Sequence, residues 1–199
     1  MIAKKCFHIA FLPIPFLILS LFLSKFYSVF GYIFLLLLLL QAFFIFFFRD
    51  LKREIQDGIV SPADGKIIEN EGKISIFMSL FDMHVNLMPY DGKISKIRRH
   101  EGKHCLAFRN AEKNEKLEIE IDSDIGKIRI FQIAGFFARR IVPYVKEGDF
   151  LKKGEKIGII RFGSRVELIL PENCKIIVEK EKKVKAGERI AVTKYKNSS

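Results

Sequence analysis

The chain has 199 residues, 34 of them Lys or Arg against 23 Asp or Glu, for a formal net charge of +11, and 49% of it is apolar. That length holds one modest domain plus an accessory segment, and three cysteines without metal-like spacing (Cys6, Cys105, Cys174) exclude a disulfide framework and fit a reducing compartment. No aromatic-basic platform or nucleic-acid motif accompanies the charge, so an anionic membrane surface accounts for it more directly than nucleic acid; part of it, as in EKEKKVK at 179–185, also reads as solvated surface.

In chain order, the first elements are apolar. Phe7 to Leu23 is interrupted only by His8 and Ser20, and Phe26 to Phe48 only by weakly polar residues such as Ser28, Gly31 and Gln41. As a helix the second run spans about 34 Å, enough for a bilayer core, whereas the first is near the lower limit and carries Pro13 and Pro15 in its first half. A cleaved signal peptide is disfavoured by the missing Ala-x-Ala-type site and the immediate second run. Two membrane-embedded segments, or one span plus an interfacial segment, account for the pattern. Lys4 and Lys5 before the pair and Arg49, Lys52 and Arg53 after it outnumber the single Lys25 between, which predicts both flanks, and hence the rest of the chain, on the cytoplasmic side of the cell membrane.

Residues 1–54 therefore read as an anchor and 55–199 as a separate domain. That domain is built of short β-branched runs: GKIIENEGKISIFMS, KLEIEID, KIRIFQIAG, KIGIIRFG, RVELIL and KIIVEK, separated by glycine or acidic turns, with no long amphipathic helix after Gln56. The predicted class is mainly β, a compact β domain behind an N-terminal pair of membrane helices. VKEGDFLKKGEKIGII at 145–160 and VKAGERIAV at 184–192 share a Val-Lys-x-Gly turn and a following β run, which resembles the hammerhead sheets of biotinyl and lipoyl domains. The lysine that would carry a lipoyl group at the hairpin tip is replaced by Gly163-Ser164-Arg165. A turn at Gly-Ser, closing a hairpin between Ile159-Ile160 and Val166 to Leu170, is the simplest structural reading of that tripeptide.

FFFRDLKR, VSPADGKI, FMSLFDMHVNLMPYDGKI, QIAGFFARRIV and GEKIGIIRFGSRVELILP follow one another in an order that resembles the phosphatidylserine decarboxylases, most of all their short membrane-anchored branch, which includes archaetidylserine decarboxylases. The resemblance runs from Phe46 to Pro171. It implies a carboxy-lyase made as a proenzyme that breaks its own Gly163–Ser164 bond, giving a β chain of residues 1–163 and an α chain of residues 164–199. Glycine on the carbonyl side leaves room for Ser164 Oγ to attack. Ser164 then becomes a pyruvoyl group, which forms a Schiff base with the substrate amine and acts as the electron sink in place of pyridoxal phosphate, with no metal.

The resemblance also assigns roles. Asp64, which by itself reads as a turn aspartate bonding its own backbone, is implied to assist self-cleavage. His84, in DMHVN, is implied to transfer a proton at the substrate. Longer bacterial relatives carry a second histidine at the place of Leu87. Arg165, Arg139 and Arg140 are candidates for the phosphate or carboxylate of a serine phospholipid, because guanidinium pairs with both, and are otherwise surface charge. The implied partners are the anionic lipid, the membrane, the two chains of one precursor and a second copy in a homodimer. A lipoyl-like membrane adaptor and an anionic-lipid-binding module without chemistry are the alternatives; the adaptor lacks the heptad hairpin that class needs.

Overall fold

The structure, a computed structural model, describes residues 1–102, 114–135, 140–161 and 164–194, Ser164 by its backbone alone. It divides into two compact units, Met1–Leu51 and Lys52–Ser199.

The first unit holds α1 (Phe7–Ala10), α2 (Ile14–Leu23) and α3 (Val29–Phe47). The first apolar run is thus two helices rather than one. Pro13, which lacks an N–H, stands at the N-cap of α2, and Pro15 lies in its first turn, where that lack is harmless. The break leaves the Ala10 carbonyl outside the helix ladder, and the buried Gln41 of α3 donates its Nε2 to it at 2.8 Å. A lone glutamine in an otherwise apolar run thereby satisfies a backbone group that lipid could not. Only α3 is long and apolar enough to cross a membrane, by length and composition, among the described residues.

The second unit contains the strands β1 (Ile59–Val60), β2 (Gly65–Glu69), β3 (Ile74–Met78), β4 (Val85–Leu87), β5 (Gly92–His100), β6 (Lys116–Ser123) and β7 (Gly126–Ala134). They continue as β8 (Ile141–Pro143), β9 (Phe150–Leu151), β10 (Lys156–Ile160), β11 (Ser164–Ile169), β12 (Cys174–Ile176), β13 (Lys183–Val184) and β14 (Arg189–Thr193). An 8-stranded sheet runs β13-β2-β3-β11-β7-β6-β5-β9, and two 3-stranded sheets run β1-β14-β12 and β4-β10-β8. Their inward faces close one apolar core around Ile67, Ile76, Ile94, Ile121, Ile130 and Leu168. KIIVEK is strand only at its start; Ile177 and Val178 both donate to the Ile190 carbonyl instead.

The sheet orders reveal two interleaved halves. Replacing β13, β2, β3 and β11 by β9, β5, β6 and β7 reproduces the large sheet read from its other end, and β1, β14, β12 correspond to β4, β10, β8. Half one is β1–β3 with β11–β14; half two, β4–β10, is inserted between β3 and β11. Each half begins with a Pro-x-Asp-Gly-Lys-Ile segment, Pro62 to Ile67 and Pro89 to Ile94, and each segment clasps a Lys-x-Gly-acid turn. In half one Ser61 N donates to Glu188 O at 2.7 Å and Gly187 N to Ser61 O at 3.0 Å; in half two Met88 N donates to Glu155 O at 2.7 Å and Gly154 N to Met88 O at 2.9 Å. The halves also grip each other reciprocally, Val60 N to Pro89 O at 3.0 Å and Leu87 N to Pro62 O at 2.8 Å. Gly154 and Gly187 hold φ of +86° and +93°, the left-handed position such a turn reserves for glycine.

The hairpin reading of Gly163-Ser164-Arg165 is overturned. β10 pairs with β4 and β8, whereas β11 pairs with β3 and β7, so the runs on either side belong to different sheets. The segment is the return of the chain from half two into half one.

Candidate active site

Asp64 ends the Ser-Pro-Ala-Asp turn. Ser61 Oγ donates to the Ala63 carbonyl at 2.7 Å and fixes the turn, so the Asp64 carboxylate points inward and is almost fully buried. Its Oδ1 accepts Ala186 N at 2.8 Å, and its Oδ2 accepts Met83 N at 3.3 Å and a guanidinium N–H of Arg53. The simple turn reading, a bond to its own local backbone, does not hold; its partners lie elsewhere in the chain.

Met83 leads directly to His84. The segment between β3 and β4 is pinned by Asp82, whose Oδ2 accepts Ser79 N at 2.8 Å and Ser79 Oγ at 2.7 Å while its Oδ1 faces Lys183 Nζ at 3.6 Å. His84 is completely buried, and its own carbonyl accepts Ile160 N at 3.2 Å, near the end of half two. Its Nδ1 stands 2.9 Å from the Asp82 carbonyl. A carbonyl only accepts, so Nδ1 carries the proton in that bond, and Nε2 is the nitrogen whose protonation can change.

Ser164 opens β11, its backbone in register with Met78 on one side and Ala134 on the other. Met78 ends β3 and directly precedes the Ser79–Asp82 turn, so the strand that flanks Ser164 also feeds His84. The chain leaves half one at Met78 and re-enters at Ser164; Asp64 is joined by Met83 to the departing segment. Gly163 and Arg139 lie outside the described residues.

The remaining arginines differ. Arg165 is mostly buried and turned along its own strand to Glu167, Nη1 to Oε1 3.4 Å. Glu167 is shared with Lys73 at 3.2 Å, which in turn reaches Glu69 at 3.4 Å. Burial of the Lys73 ammonium opposes its charge, but Glu167 and Glu69 override that and raise its pKa above 10.5. Arg140 is exposed, gives only its carbonyl, to Arg161 N at 3.2 Å, and makes no ion pair among the described residues. Its charge is therefore less committed than that of Arg165.

Three buried or mostly buried polar residues near these segments do not stand out in the sequence. Arg53 reads there as a membrane flank. Asn86 and Gln132 form a fully buried pair, Gln132 Nε2 to Asn86 Oδ1 2.6 Å, with Asn86 Nδ2 near Met78 Sδ at 3.8 Å. Gln132 shares inward parity with Ile128, Ile130 and Ala134, so a polar residue at a core position was its available signal.

A phosphatidylserine decarboxylase family profile matches residues 40–74 and 68–192. The chain is 49% identical over 151 residues to a protein of Archaeoglobus fulgidus named as an archaetidylserine decarboxylase proenzyme, covering 75% of this chain and 77% of that one. It is 42% identical over 196 residues to the phosphatidylserine decarboxylase proenzyme of Syntrophus aciditrophicus, covering 88% and 92%, and 40% identical over 164 residues to that of Chlorobaculum tepidum, covering 74% and 76%. The chain belongs to the phosphatidylserine decarboxylase family.

Proposed function

We propose that the protein is a membrane-anchored proenzyme that cleaves itself at Gly163–Ser164 and then decarboxylates phosphatidylserine or archaetidylserine to the ethanolamine lipid. The observation that supports this best is the junction between the halves, where the start of β11 returns beside β3 while Asp64 is bonded to Met83, the neighbour of His84. In maturation Ser164 Oγ attacks the Gly163 carbonyl carbon and the acyl group passes from nitrogen to oxygen. Elimination across Cα–Cβ of residue 164 expels the Gly163 carboxylate, and water replaces the resulting enamine nitrogen, which leaves as ammonia. Asp64 assists this step.

The new α-chain terminus fits its place, because residue 164 has a strand on each side in register and a group formed there stays held after the bond breaks. A pyruvoyl carbonyl supplies the electron sink that loss of CO₂ from a serine headgroup requires. His84 exchanges the proton at the substrate Cα through Nε2, its ring fixed by the Asp82 carbonyl. Arg140, and Arg139 beside it in the chain, receive the lipid phosphate or carboxylate; Arg165, balanced by Glu167, contributes less. α3 holds the enzyme at the cell membrane with the β domain on the cytoplasmic side, as the basic flanks predict.

The test is Ser164→Ala. The parent should run as two chains on a denaturing gel, the smaller one with a blocked N-terminus, and should decarboxylate serine phospholipid in mixed micelles. Ser164→Ala should remain one chain without activity. Two clean chains from that variant would sink the proposal.

A further inference from the structure

The internal repeat provides a control for Asp64 within the same molecule. Asp91 occupies the matching place in the second Pro-x-Asp-Gly segment, and its Oδ1 accepts Lys153 N at 2.7 Å, as Asp64 Oδ1 accepts Ala186 N at 2.8 Å. That shared bond belongs to the architecture: it ties the segment to its Lys-x-Gly-acid turn in both halves. What Asp64 adds is confined to Oδ2, which takes Met83 N and the Arg53 guanidinium. Asp91 has no cationic side chain on it among the described residues.

We infer that Arg53 is a positioning residue for self-cleavage, acting through Asp64 Oδ2 to hold the carboxylate against the Met83–His84 segment. The inference rests on the role of Asp64 in the proposed maturation. The energetics favour it over a purely structural pair. Both side chains of the ion pair are mostly buried, and Arg53 Nε is buried with no acceptor among the described residues. A buried ion pair with a donor left unsatisfied is a poor device for stability, since desolvation offsets much of the attraction and an apolar pair would serve as well. It is a good device for fixing one carboxylate oxygen in one place. Arg53 also lies beyond Leu51, on the β-domain side of the division between the two units. The residue that follows the apolar helix as one of several flanking cations is thus assigned to the maturation machinery.

The experiment follows self-cleavage of the full-length chain after pulsed synthesis into lipid nanodiscs, for the parent, Arg53→Met, Arg53→Lys, Arg53→Ala and Asp91→Asn. Arg53→Met should slow the appearance of two chains by about ten- to a hundredfold, the range produced when a reacting group is slightly misplaced. Arg53→Lys, which keeps a cation, should recover part of the rate, and added ethylguanidinium should accelerate Arg53→Ala but not the parent. Asp91→Asn should cleave like the parent. Melting of Arg53→Met in the uncleavable Ser164→Ala background should remain cooperative. Parent-like cleavage by Arg53→Met overturns the inference; so do equal slowing of the Met and Lys variants without rescue, and loss of the cooperative melt. A parent chain that stays whole overturns the proposed function itself, a different result from a parent that cleaves alongside an equally fast Arg53→Met.

Discussion

The two halves of the β domain share a strand plan and diverge at one connection. In half two, β6 and β7 are joined directly, Ser123 opposite Gly126, with Ser123 Oγ closing the turn on the Gly126 carbonyl at 2.6 Å. In half one the matching connection, between β3 and β11, is opened to admit the whole of half two. A closed hairpin presents a turn and little else. The opened one gives an exit segment that carries His84 and a return segment whose first residue, Ser164, lies in register with Met78, while the Asp64 turn of the same half bonds Met83. The proposed chemistry sits where the repeat is broken, and the shared parts are scaffold on both sides.

The largest test of that contrast replaces the two aspartates in turn. Asp64→Asn keeps Oδ1 for Ala186 N but puts an NH₂ where Oδ2 stood, facing two donors, Met83 N and the Arg53 guanidinium. Self-cleavage should be slowed by at least about a hundredfold, as when a positioned reacting group is lost. Asp91→Asn keeps the one bond its carboxylate makes among the described residues, to Lys153 N, and should cost only about 1 kcal/mol of stability while cleaving at the parent rate. Equal effects of the two on a gel time course would mean that both aspartates are scaffold.

His84 has no counterpart in the other half's leading segment, so its removal should spare the repeat's own contacts. His84→Ala should lower decarboxylation per mature chain by about 10²- to 10⁴-fold, the usual contribution of a general acid–base group. Turnover at the parent rate, with product counted by mass spectrometry, would make His84 a packed core residue and nothing more.

How much of this was legible in the sequence varies with the physics of each element. Alternation exposed β6, β7 and β11, because each keeps one face in the core. It hid β5, where a shift in register between Ile94 and Lys96 breaks the period, leaving Ile94 and Ile97 at a spacing that reads as neither strand nor helix. The Gly-Ser junction was visible as a motif, yet its strands look like hairpin partners until pairing assigns them to different sheets. Asp64 and His84 stand out by motif, and only the fold shows Met83, the neighbour of His84, bonded to Asp64. Arg53 is hidden because a cation behind an apolar run already has an explanation as a flank, and composition does not reveal that it pairs with Asp64 in the turn that follows.

The boundary between the units sharpens the comparison further. Deleting residues 1–48 retains Arg53 and every described contact of Asp64, and the resulting β domain should still cleave itself and turn over short-chain, dispersed lipid. Its activity on liposomes should fall and should weaken with added salt, as the Debye length shrinks from about 10 Å at 0.1 M to about 3 Å at 1 M and basic residues alone bind the surface. Deleting residues 1–54, the division expected from composition, also removes Arg53 and should cleave slowly. Liposome and short-chain assays on both truncations across a salt series would separate anchoring from maturation.

The smallest effect concerns the outer faces of the two halves. On half one Lys73 is held by Glu167 and Glu69 in a half-buried cluster; on half two Lys127 pairs with Glu120 at 3.5 Å from a largely exposed position. The Lys73 pKa is raised in the folded chain above 10.5, burial opposing and the two carboxylates prevailing. A cation whose pKa is higher folded than unfolded adds stability that is complete below the unfolded value and disappears as pH rises through the folded one. In a truncated Ser164→Ala chain, Lys73→Met should therefore cost about 0.5 kcal/mol in urea unfolding at pH 7 to 9, and the difference should shrink above pH 10.5. Lys127→Met should change stability by less than about 0.5 kcal/mol at any of these pH values, because water screens its pair. A Lys73 effect that persists unchanged at the alkaline end would show that its four-carbon stem matters more than its charge.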